Sequence, residues 1–500
     1  MTLVVLWLAA IATPPLCVVA LAKTSLETER LRTVAVSSAC ISAAACAAVF
    51  VVPEINSLAI AWPDNVDRLL GGMLLRVSEL SAPLIPLPSV LWLITVAVTP
   101  RLRLNRAGLQ RTALATLSLT LAFLTESPAL LVLLWAASNL LFVTALSRTE
   151  HGRARRVAGY YVWVSAGLFG AGVVLATFAP PNWPAEISLW LIIAAVLIRK
   201  GIFPFHAWIP EVFDTGRLGP VVLFSAPQLG AYVAAQLVVP HAGAGMLRTV
   251  AILSLVTAVY GAALALVQRD ARRACGYLFV SQSALVLAGL DCTTTEALAG
   301  SLILWISSAL AFTGMARTVL ALEARRGRLD LTRHHGGYEQ MPLLAASFLV
   351  LGLACTGFPG TLGFVGQEML VEGAVRGFPM LGFLVVAASA LTGLAVLRMY
   401  FSLFCGRPAN ALRLTLLRRE AIVFGGVAAA LVISGLLPQP IVASMIRASQ
   451  EVLQQRDLPS TPHSDNQTHD GEHNRDVATV DQDVPERALL EKRDGPERHR

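Results

Sequence analysis

The sequence predicts an all-α polytopic membrane protein with about fourteen transmembrane helices, and three observations support that class. Of its 500 residues, 55% are hydrophobic and only 14% are charged, and the mean hydropathy is +0.64. A soluble globular protein of this size carries more polar surface. The chain also contains repeated apolar windows, each long enough to cross a hydrocarbon core of about 30 Å as a helix. Finally, its basic residues recur in alternate loops.

The predicted membrane helices follow one another from the N-terminus. Their approximate ranges are 3–22, 33–52, 80–99, 110–125, 127–147, 158–178, 186–208, 218–240, 248–268, 274–291, 296–322, 343–375, 380–404 and 418–437. The first range could be a secretory signal peptide, but no basic segment precedes its long apolar run, so we expect a membrane helix.

Cysteine usage and local motifs predict no cofactor. The seven cysteines are scattered singly, without a CxxC pair or a Cys/His cluster, and are expected to be packing residues. No nucleotide-binding glycine motif and no haem motif is present in the sequence. We therefore expect the chain to bind no redox cofactor, nucleotide or metal of its own.

The placement of arginine predicts the orientation in the membrane. Basic residues collect in the loops after predicted helices 1, 3, 5, 9, 11 and 13, whereas the loops after helices 4, 6 and 10 contain none. Basic loops remain on the cytoplasmic side of a membrane. The chain is therefore expected in the cell or inner membrane, with both termini on the non-cytoplasmic side.

Two predicted helices contain helix breakers. Gly201 and Pro204 interrupt helix 7, and Pro359 and Gly360 interrupt helix 12. Such breaks are tolerated in a membrane where the backbone lines a buried or water-filled cavity. Helices 4–8 and 9–13 form two runs of five helices, and the break falls on the fourth member of each run. Because five is an odd number, the second run starts on the opposite side of the membrane and has the inverted topology. Inverted five-helix repeats with matching breaks predict a transport pathway near the midplane; two unrelated proline kinks are the alternative.

These features divide the chain into five predicted segments. They are helices 1–3 in 1–109, the first repeat in 110–240, the second, inverted repeat in 241–405, helix 14 with an amphipathic segment in 406–455, and a disordered charged tail in 456–500. The tail is rich in Asp, Glu, Arg and His, and its irregularly spaced histidines indicate a solvated segment rather than a metal site. Residues 438–455 are expected to form a helix at the membrane surface.

Two adjacent cations, Arg199 and Lys200, stand immediately before the break in helix 7. Of 39 basic residues only three are lysines, and the other two lie in exposed segments. An ammonium can lose its proton when it is desolvated, whereas a guanidinium effectively cannot. We therefore expect Lys200 to carry protons and Arg199 to be a fixed charge; alternatively, Lys200 extends to the interface. His206 is either a proton relay or a hydrogen-bonding partner for backbone freed by the proline.

Three segments carry the motifs of one family. "RKGIFPFHAWIPEVF" resembles K-x-x-x-x-P-x-H-x-W-x-P, "DARRACGYLFVSQSALVLAGL" is similar to D-x-K-R-x-x-A-Y-S-x-x-S-Q, and "GFPGTLGF" is similar to G-x-P-G-x-x-G-F. The matches lie in order between about residues 110 and 405. They resemble the antiporter-like, proton-conducting membrane subunits of respiratory complex I, of the L, M and N type, and of related hydrogenase and Mrp-type complexes.

The resemblance implies a chain of buried protonatable groups, joined by water across the middle of the membrane. The candidate proton-pathway residues are Lys200, Arg199, His206, Glu126, Glu368 and Arg398. The family's helix-7 lysine falls on Arg199, with Lys200 one position later, a rotation of about 100° on a helix. The resemblance implies a glutamate, a lysine and a histidine where this chain has Ala136, Gln228 and Ser308, and Glu126 is the carboxylate nearest to the first of these. In helix 12 the acidic position falls on Gln367 or Glu368, depending on a shift of one residue, and Glu368 is expected to supply the carboxylate.

The predicted function is that of a proton-translocating membrane subunit of a complex I-like assembly, either an NADH-quinone oxidoreductase or a membrane hydrogenase. The redox chemistry belongs to partner subunits, and this chain is expected to have no redox site of its own. Other membrane subunits, redox or soluble subunits and the lipid bilayer are the expected partners, and nucleic acid is not. Two alternatives remain: the membrane subunit of a proton-coupled inorganic carbon uptake system, and a structural paralogue that does not conduct protons.

Overall fold

A computed structural model describes residues 2–63, 71–146, 152–178, 180, 184–377, 379–406 and 416–457. Within these ranges the chain is almost entirely helical, as the composition predicts, with one antiparallel pair of two-residue strands, β1 (Ala59–Ile60) and β2 (Leu75–Arg76). The predicted charged tail lies outside the described residues from position 458 onward.

The helices follow one another along the chain, with short 3-10 turns at Ala48–Phe50, Arg101–Arg103 and Phe205–Ala207 and a π-helical turn at Ala234–Val238. They are α1 (Thr2–Leu21), α2 (Thr28–Ala47), α3 (Pro53–Asn56), α4 (Leu87–Val98), α5 (Arg106–Leu124), α6 (Pro128–Leu146), α7 (Gly152–Phe178), α8 (Ala185–Lys200), α9 (Trp208–Thr215), α10 (Leu218–Ser225), α11 (Leu229–Val233), α12 (Ala244–Val267), α13 (Ala271–Leu290), α14 (Thr295–Arg326), α15 (Pro342–Cys355), α16 (Leu362–Gly377), α17 (Pro379–Phe404), α18 (Arg418–Leu436) and α19 (Gln439–Asp457).

Eleven helical segments within the described ranges are long and apolar enough to cross a membrane, fewer than the fourteen predicted. Two further apolar helices, α4 and α15, are shorter than a full span. In both cases prolines account for the shortening. Pro83 and Pro86 lie in the turns before α4, and Pro359 lies in the turn that separates α15 from α16. The predicted window 343–375 is therefore two helices joined by a break.

The core of the bundle is formed by α13, α14 and the segment 218–238, which includes α10 and α11. About nine-tenths of the apolar window of each is buried inside the protein (89% for all three), whereas α18 buries only 17% of its window. The helix predicted at 438–455 is observed as α19, which packs against α14 and buries Met445, Ala448 and Val452.

An ion pair fastens α13 to α14 near the arginine-rich ends of both helices. The Nε of Arg272 donates to the two carboxylate oxygens of Glu323 at 2.7 and 2.8 Å, and its Nη1 donates to the carbonyl oxygen of Gly216 at 3.1 Å. Both charged side chains are nearly excluded from solvent. Removing one member of such a pair leaves an uncompensated buried charge, so the pair fixes the register of the two helices.

Helices α14 and α16 approach each other closely at two glycines. A Cβ atom added at Gly366 would lie 2.7 Å from the backbone nitrogen of Leu304 and 2.9 Å from the carbonyl oxygen of Gly300. Both contacts are to backbone, which cannot rotate away. Small residues permit this kind of approach between helices in membrane proteins.

We expect Gly366→Ala to lower the free energy of unfolding by about 1–3 kcal/mol, because the new methyl group forces α14 and α16 apart. Thermal unfolding of the purified chain in detergent measures the change. Gly393→Ala is the matched control, since Gly393 lies inside α17 with no atom within 4 Å of the added Cβ. That control should be neutral or stabilising by about 0.5–1 kcal/mol. Equal losses in both variants would contradict the close approach.

Candidate functional site

The break after α8 is built by a glycine in the left-handed conformation. Gly201 has φ +67° and ψ 41°, and its N–H donates to the carbonyl oxygen of Ile198 at 3.2 Å while the N–H of Ile202 donates to that of Leu197 at 2.9 Å. These bonds close the helix in the usual way of a glycine C-cap. A Cβ on Gly201 would lie 2.4 Å from Cδ1 of Ile209. The helix therefore ends at Lys200, inside the bundle, with its two cations at the end where the helix dipole favours positive charge.

Arg199 is held on all sides by α6 and α10. Its Nη1 donates to Oδ1 of Asn139 at 2.6 Å and its Nη2 donates to Oγ of Ser138 at 2.9 Å. Its guanidinium carbon lies 4.3 Å from the ring centroid of Trp135 and 4.4 Å from that of Phe224. Cation–π contacts on both faces and hydrogen bonds at the edge suit a permanent planar cation. The geometry fits the predicted fixed charge.

Lys200 is held much more loosely than its neighbour. Only 3% of the residue is exposed, and its Nζ donates to Oε1 of Gln228 at 2.6 Å. An ammonium has three N–H donors, and among the described residues this amide is its one hydrogen-bond acceptor. The side chain therefore ends inside the protein and does not extend to an interface. Lys200, Arg199, Gln228 and Ser283 line the same small cavity.

Gln228 reaches Lys200 because the segment 218–238 is itself broken. Pro227 separates α10 from α11, and Gln228 adopts the left-handed conformation with φ 50°. It is the one residue other than glycine with a positive φ among the described residues. Such backbone is sparsely populated and marks a position determined by its surroundings. The amide thus occupies the position at which a lysine was expected.

His206 lies in the 3-10 turn after the break and is partly buried. Its ring stacks on Phe203, with centroids 5.9 Å apart, and meets Tyr260 edge-on at 5.1 Å. Its Nδ1 is buried without a hydrogen-bond partner. The side chain therefore does not satisfy the backbone freed by Pro204, and its role as a relay stays a prediction.

The structure does not bring Glu126 to Lys200. Its carboxylate lies 3.3 Å from Nη1 of Arg76, whose other nitrogen lies 3.6 Å from Glu451 of α19. Burial raises the pKa of Glu451, and Arg76 lowers it in part. Glu126 is therefore a member of an ion-pair cluster between the β2 strand, the start of α6 and α19.

Two candidates of the second repeat also lie apart from the buried cations. Arg398 donates to the carbonyl oxygens of Leu266 and Gln268, at 3.0 Å for the latter, and so caps the end of α12. Glu368 is exposed on α16, whereas its neighbour Gln367 donates to Oγ of Ser389 on α17. One residue of register on a helix is a rotation of about 100°. The inward position is thus an amide, and Glu368 faces outward.

Asp291 was missed by the sequence analysis. It follows the last residue of α13 and is only 3% exposed, and within the described ranges both of its carboxylate oxygens are buried without a hydrogen-bond partner. Its charge and that of Lys200 are near enough to interact. The sequence signal was a single carboxylate at the last position of predicted helix 10 (274–291), a position typical of a residue at the membrane interface. Among the described residues, no cluster of three His, Cys, Asp or Glu side chains could hold a metal ion.

Comparison with known proteins confirms the resemblance. Residues 163–392 match the family described as NADH:quinone oxidoreductase/Mrp antiporter, TM. The subunit M of NADH-quinone oxidoreductase from Rickettsia felis is 23% identical in an alignment of 291 residues that covers 55% of this chain and 57% of that protein. The chain thus spans just over half the length of this relative.

Two solved structures show the same fold. A chain of respiratory complex I from Thermus thermophilus superposes with a TM-score of 0.79 at 20% identity, covering 90% of this chain and 99% of the other. A chain of an archaeal membrane-bound sulfane sulfur reductase superposes with a TM-score of 0.80 at 18% identity, covering 91% and 99%.

We expect Arg199→Lys to lower the free energy of unfolding by about 2–4 kcal/mol, because an ammonium cannot bond Asn139 and Ser138 while filling the space between two rings. Arg155→Lys is the control, since Arg155 is exposed on α7 and should change stability by less than about 0.5 kcal/mol. Thermal unfolding in detergent compares them. If Arg199→Lys lowers the free energy of unfolding by no more than the control does, the contacts of Arg199 with the two rings and with Asn139 do not stabilise the fold.

Proposed function

We propose that this chain, which over residues 163–392 matches the family described as NADH:quinone oxidoreductase/Mrp antiporter, TM, is a proton-translocating subunit of a complex I-like assembly. The observation that carries the proposal is Lys200, an amine buried at the end of a broken helix with a single amide acceptor in the described part of the chain. A buried lysine with few partners can change its protonation state at little cost.

The proposed mechanism uses the two cations differently. Arg199 supplies a permanent positive charge one residue away from Lys200, and like charges at this range disfavour the protonated amine. Lys200 therefore releases its proton when a neighbouring charge changes and takes one up when that change is reversed. A partner subunit that performs redox chemistry drives the cycle. In this proposal Arg199 remains protonated throughout.

Other membrane subunits and a redox or soluble partner complete the proposed assembly. The two solved structures named above are respiratory complexes with different redox chemistry. Their common membrane fold supports a role in energy coupling, with the identity of the redox reaction belonging to the partner. We place the assembly in the cell or inner membrane.

The finer architecture is also a proposal. We infer fourteen membrane helices in which 110–240 and 241–405 form inverted repeats, with both termini on the non-cytoplasmic side. A pair of broken helices supports the repeat. Gly201 follows α8 with φ +67°, and Gly357 and Gly360 follow α15 with φ +74° and +87°. The alternation of basic loops supports the orientation.

We propose a pathway centred on Lys200 with His206 as a relay. Glu126 and Arg398, whose side chains bind Arg76 and the end of α12, have structural partners that fix them. Gln228 and Ala136 cannot titrate, which favours one competing function, that of a structural paralogue without conduction. A measurement of proton flux distinguishes a conducting subunit from such a paralogue.

The test is proton flux into vesicles reconstituted with the full-length chain under an imposed pH gradient. We expect the parent to conduct and Lys200→Met to lose about 100-fold or more of the flux, the range typical for removal of a proton-transfer group. Glu186→Gln is the control, because Glu186 is exposed in the first turn of α8, the same helix. Its flux should equal that of the parent.

A parent without flux above empty vesicles would support the non-conducting paralogue. Equal flux in the parent and in Lys200→Met would remove Lys200 from the pathway. Glu368→Gln in the same assay decides the prediction for helix 12: a large loss would restore Glu368 to the pathway, and flux like that of the parent would exclude it.

A further inference from the structure

Asp291 is a buried carboxylate without a visible structural purpose. It ends α13, both carboxylate oxygens are excluded from solvent, and neither accepts a hydrogen bond from any residue that the structure describes. Carboxylates used for helix capping or ion pairing in this chain do have partners, as in the pair of Glu323 with Arg272. A buried polar group without a partner is costly and calls for an explanation such as a functional role or bound water. Its charge is within interaction range of Lys200.

The helix that carries Asp291 also forms part of the cavity at Lys200. Ser283 of α13 lines that cavity together with Lys200 and Gln228, and α13 contacts α8, α11 and the π-helical turn. The hydroxyl of Ser283 and the side-chain amide of the adjacent Gln282 are buried without partners. Polar groups of this kind are the ones that bind internal water.

Asp291 lies between this cavity and the surface. Eight residues separate it from Ser283, which is about 12 Å along a helix. Thr293, only two residues further on, is exposed. The end of α13 at Asp291 is opposite the end that carries Arg272 and Arg273. A proton held by Asp291 is therefore close to the surface on the side away from the basic loops.

We propose that Asp291 is the acidic proton partner of Lys200 and replaces the carboxylate that is absent at Ala136 in α6. This inference rests on the proposed function. The ammonium of Lys200 releases a proton to water in the cavity, and the carboxylate of Asp291 accepts one from the same water. The pair of charges becomes an amine and a carboxylic acid, with no electron transferred. Asp291 then releases the proton towards Thr293.

The first test is a double-mutant cycle on stability, which does not depend on proton flux. The variants are Lys200→Met, Asp291→Asn and their combination, and the measurement is the midpoint of thermal unfolding of the full chain in detergent. Each single variant leaves a buried charge without its counter-charge, so both midpoints should fall. The unfolding midpoint of the double variant should fall by clearly less than the sum of the two single shifts. A loss equal to the sum would overturn the pairing.

The matched control cycle combines Lys200→Met with Glu186→Gln. Glu186 lies at the exposed start of α8. The shift in unfolding midpoint caused by Glu186→Gln should therefore add to the shift caused by Lys200→Met, because the effects of mutations at distant sites are usually additive. A non-additive control would show that the first cycle reports a general loss of structure, and it would overturn the assignment.

The second test is the flux assay on the same variants. The flux of Asp291→Asn should be at least about tenfold lower than that of the parent, and Asp291→Glu should recover part of the flux. The flux of the double variant should not fall below that of the less active single variant. If the parent conducts and Asp291→Asn conducts equally well, the inference fails and the proposed function stands. If the parent does not conduct, the proposed function fails, and the stability cycle alone decides whether the two side chains form a pair.

Discussion

Two adjacent cations inside an apolar bundle are the constraint on which the site depends. A charge buried in such a setting is costly unless hydrogen bonds or an opposite charge compensate it. Gly201 ends α8 directly after Lys200, which turns the negative end of the helix dipole towards both cations. Side chains from α6, α10, α11 and α13 then surround them. The broken helices and the buried amide are consequences of this requirement.

The two cations differ because they are neighbours on a helix. Their directions diverge by about 100°, so one enters the pocket between Trp135 and Phe224 and the other enters the cavity with Gln228. Arg199 gains four compensating contacts that suit a planar group. Lys200 gains one acceptor and a more distant carboxylate. The structure thus separates a cation held by four contacts from a cation with one hydrogen-bond acceptor among the described residues.

The rest of the bundle keeps this arrangement rigid. Helices α14 and α16 meet at backbone distance through Gly300 and Gly366, and the pair of Arg272 and Glu323 holds α13 against α14. Because α13 also carries Ser283 and Asp291, its position sets the distance between the cavity and the surface. Close packing transmits small shifts of one helix to its neighbours.

The parts of this account that are local in sequence were predictable, and the parts that depend on tertiary contacts were not. Glycine, proline and the adjacent cations marked the breaks in helices 7 and 12, because left-handed backbone and a missing N–H are properties of single residues. Helix bounds near Pro83 and Pro359 were predicted too long. The ion pair of Glu126 was not predicted, because its partner Arg76 lies 50 residues away in the sequence. The direction of Glu368 depended on one residue of register. Asp291 is the last residue of predicted helix 10, and only the packing of neighbouring helices buries it.

The most direct test of the central claim is the proton flux of Lys200→Arg in vesicles. Arginine keeps the positive charge at the end of α8 but does not release its proton. If Lys200 carries protons, flux should fall to the level of Lys200→Met although the charge is retained. If Lys200→Arg conducts like the parent, position 200 needs only a fixed charge, and the proposed division of roles between Arg199 and Lys200 is wrong.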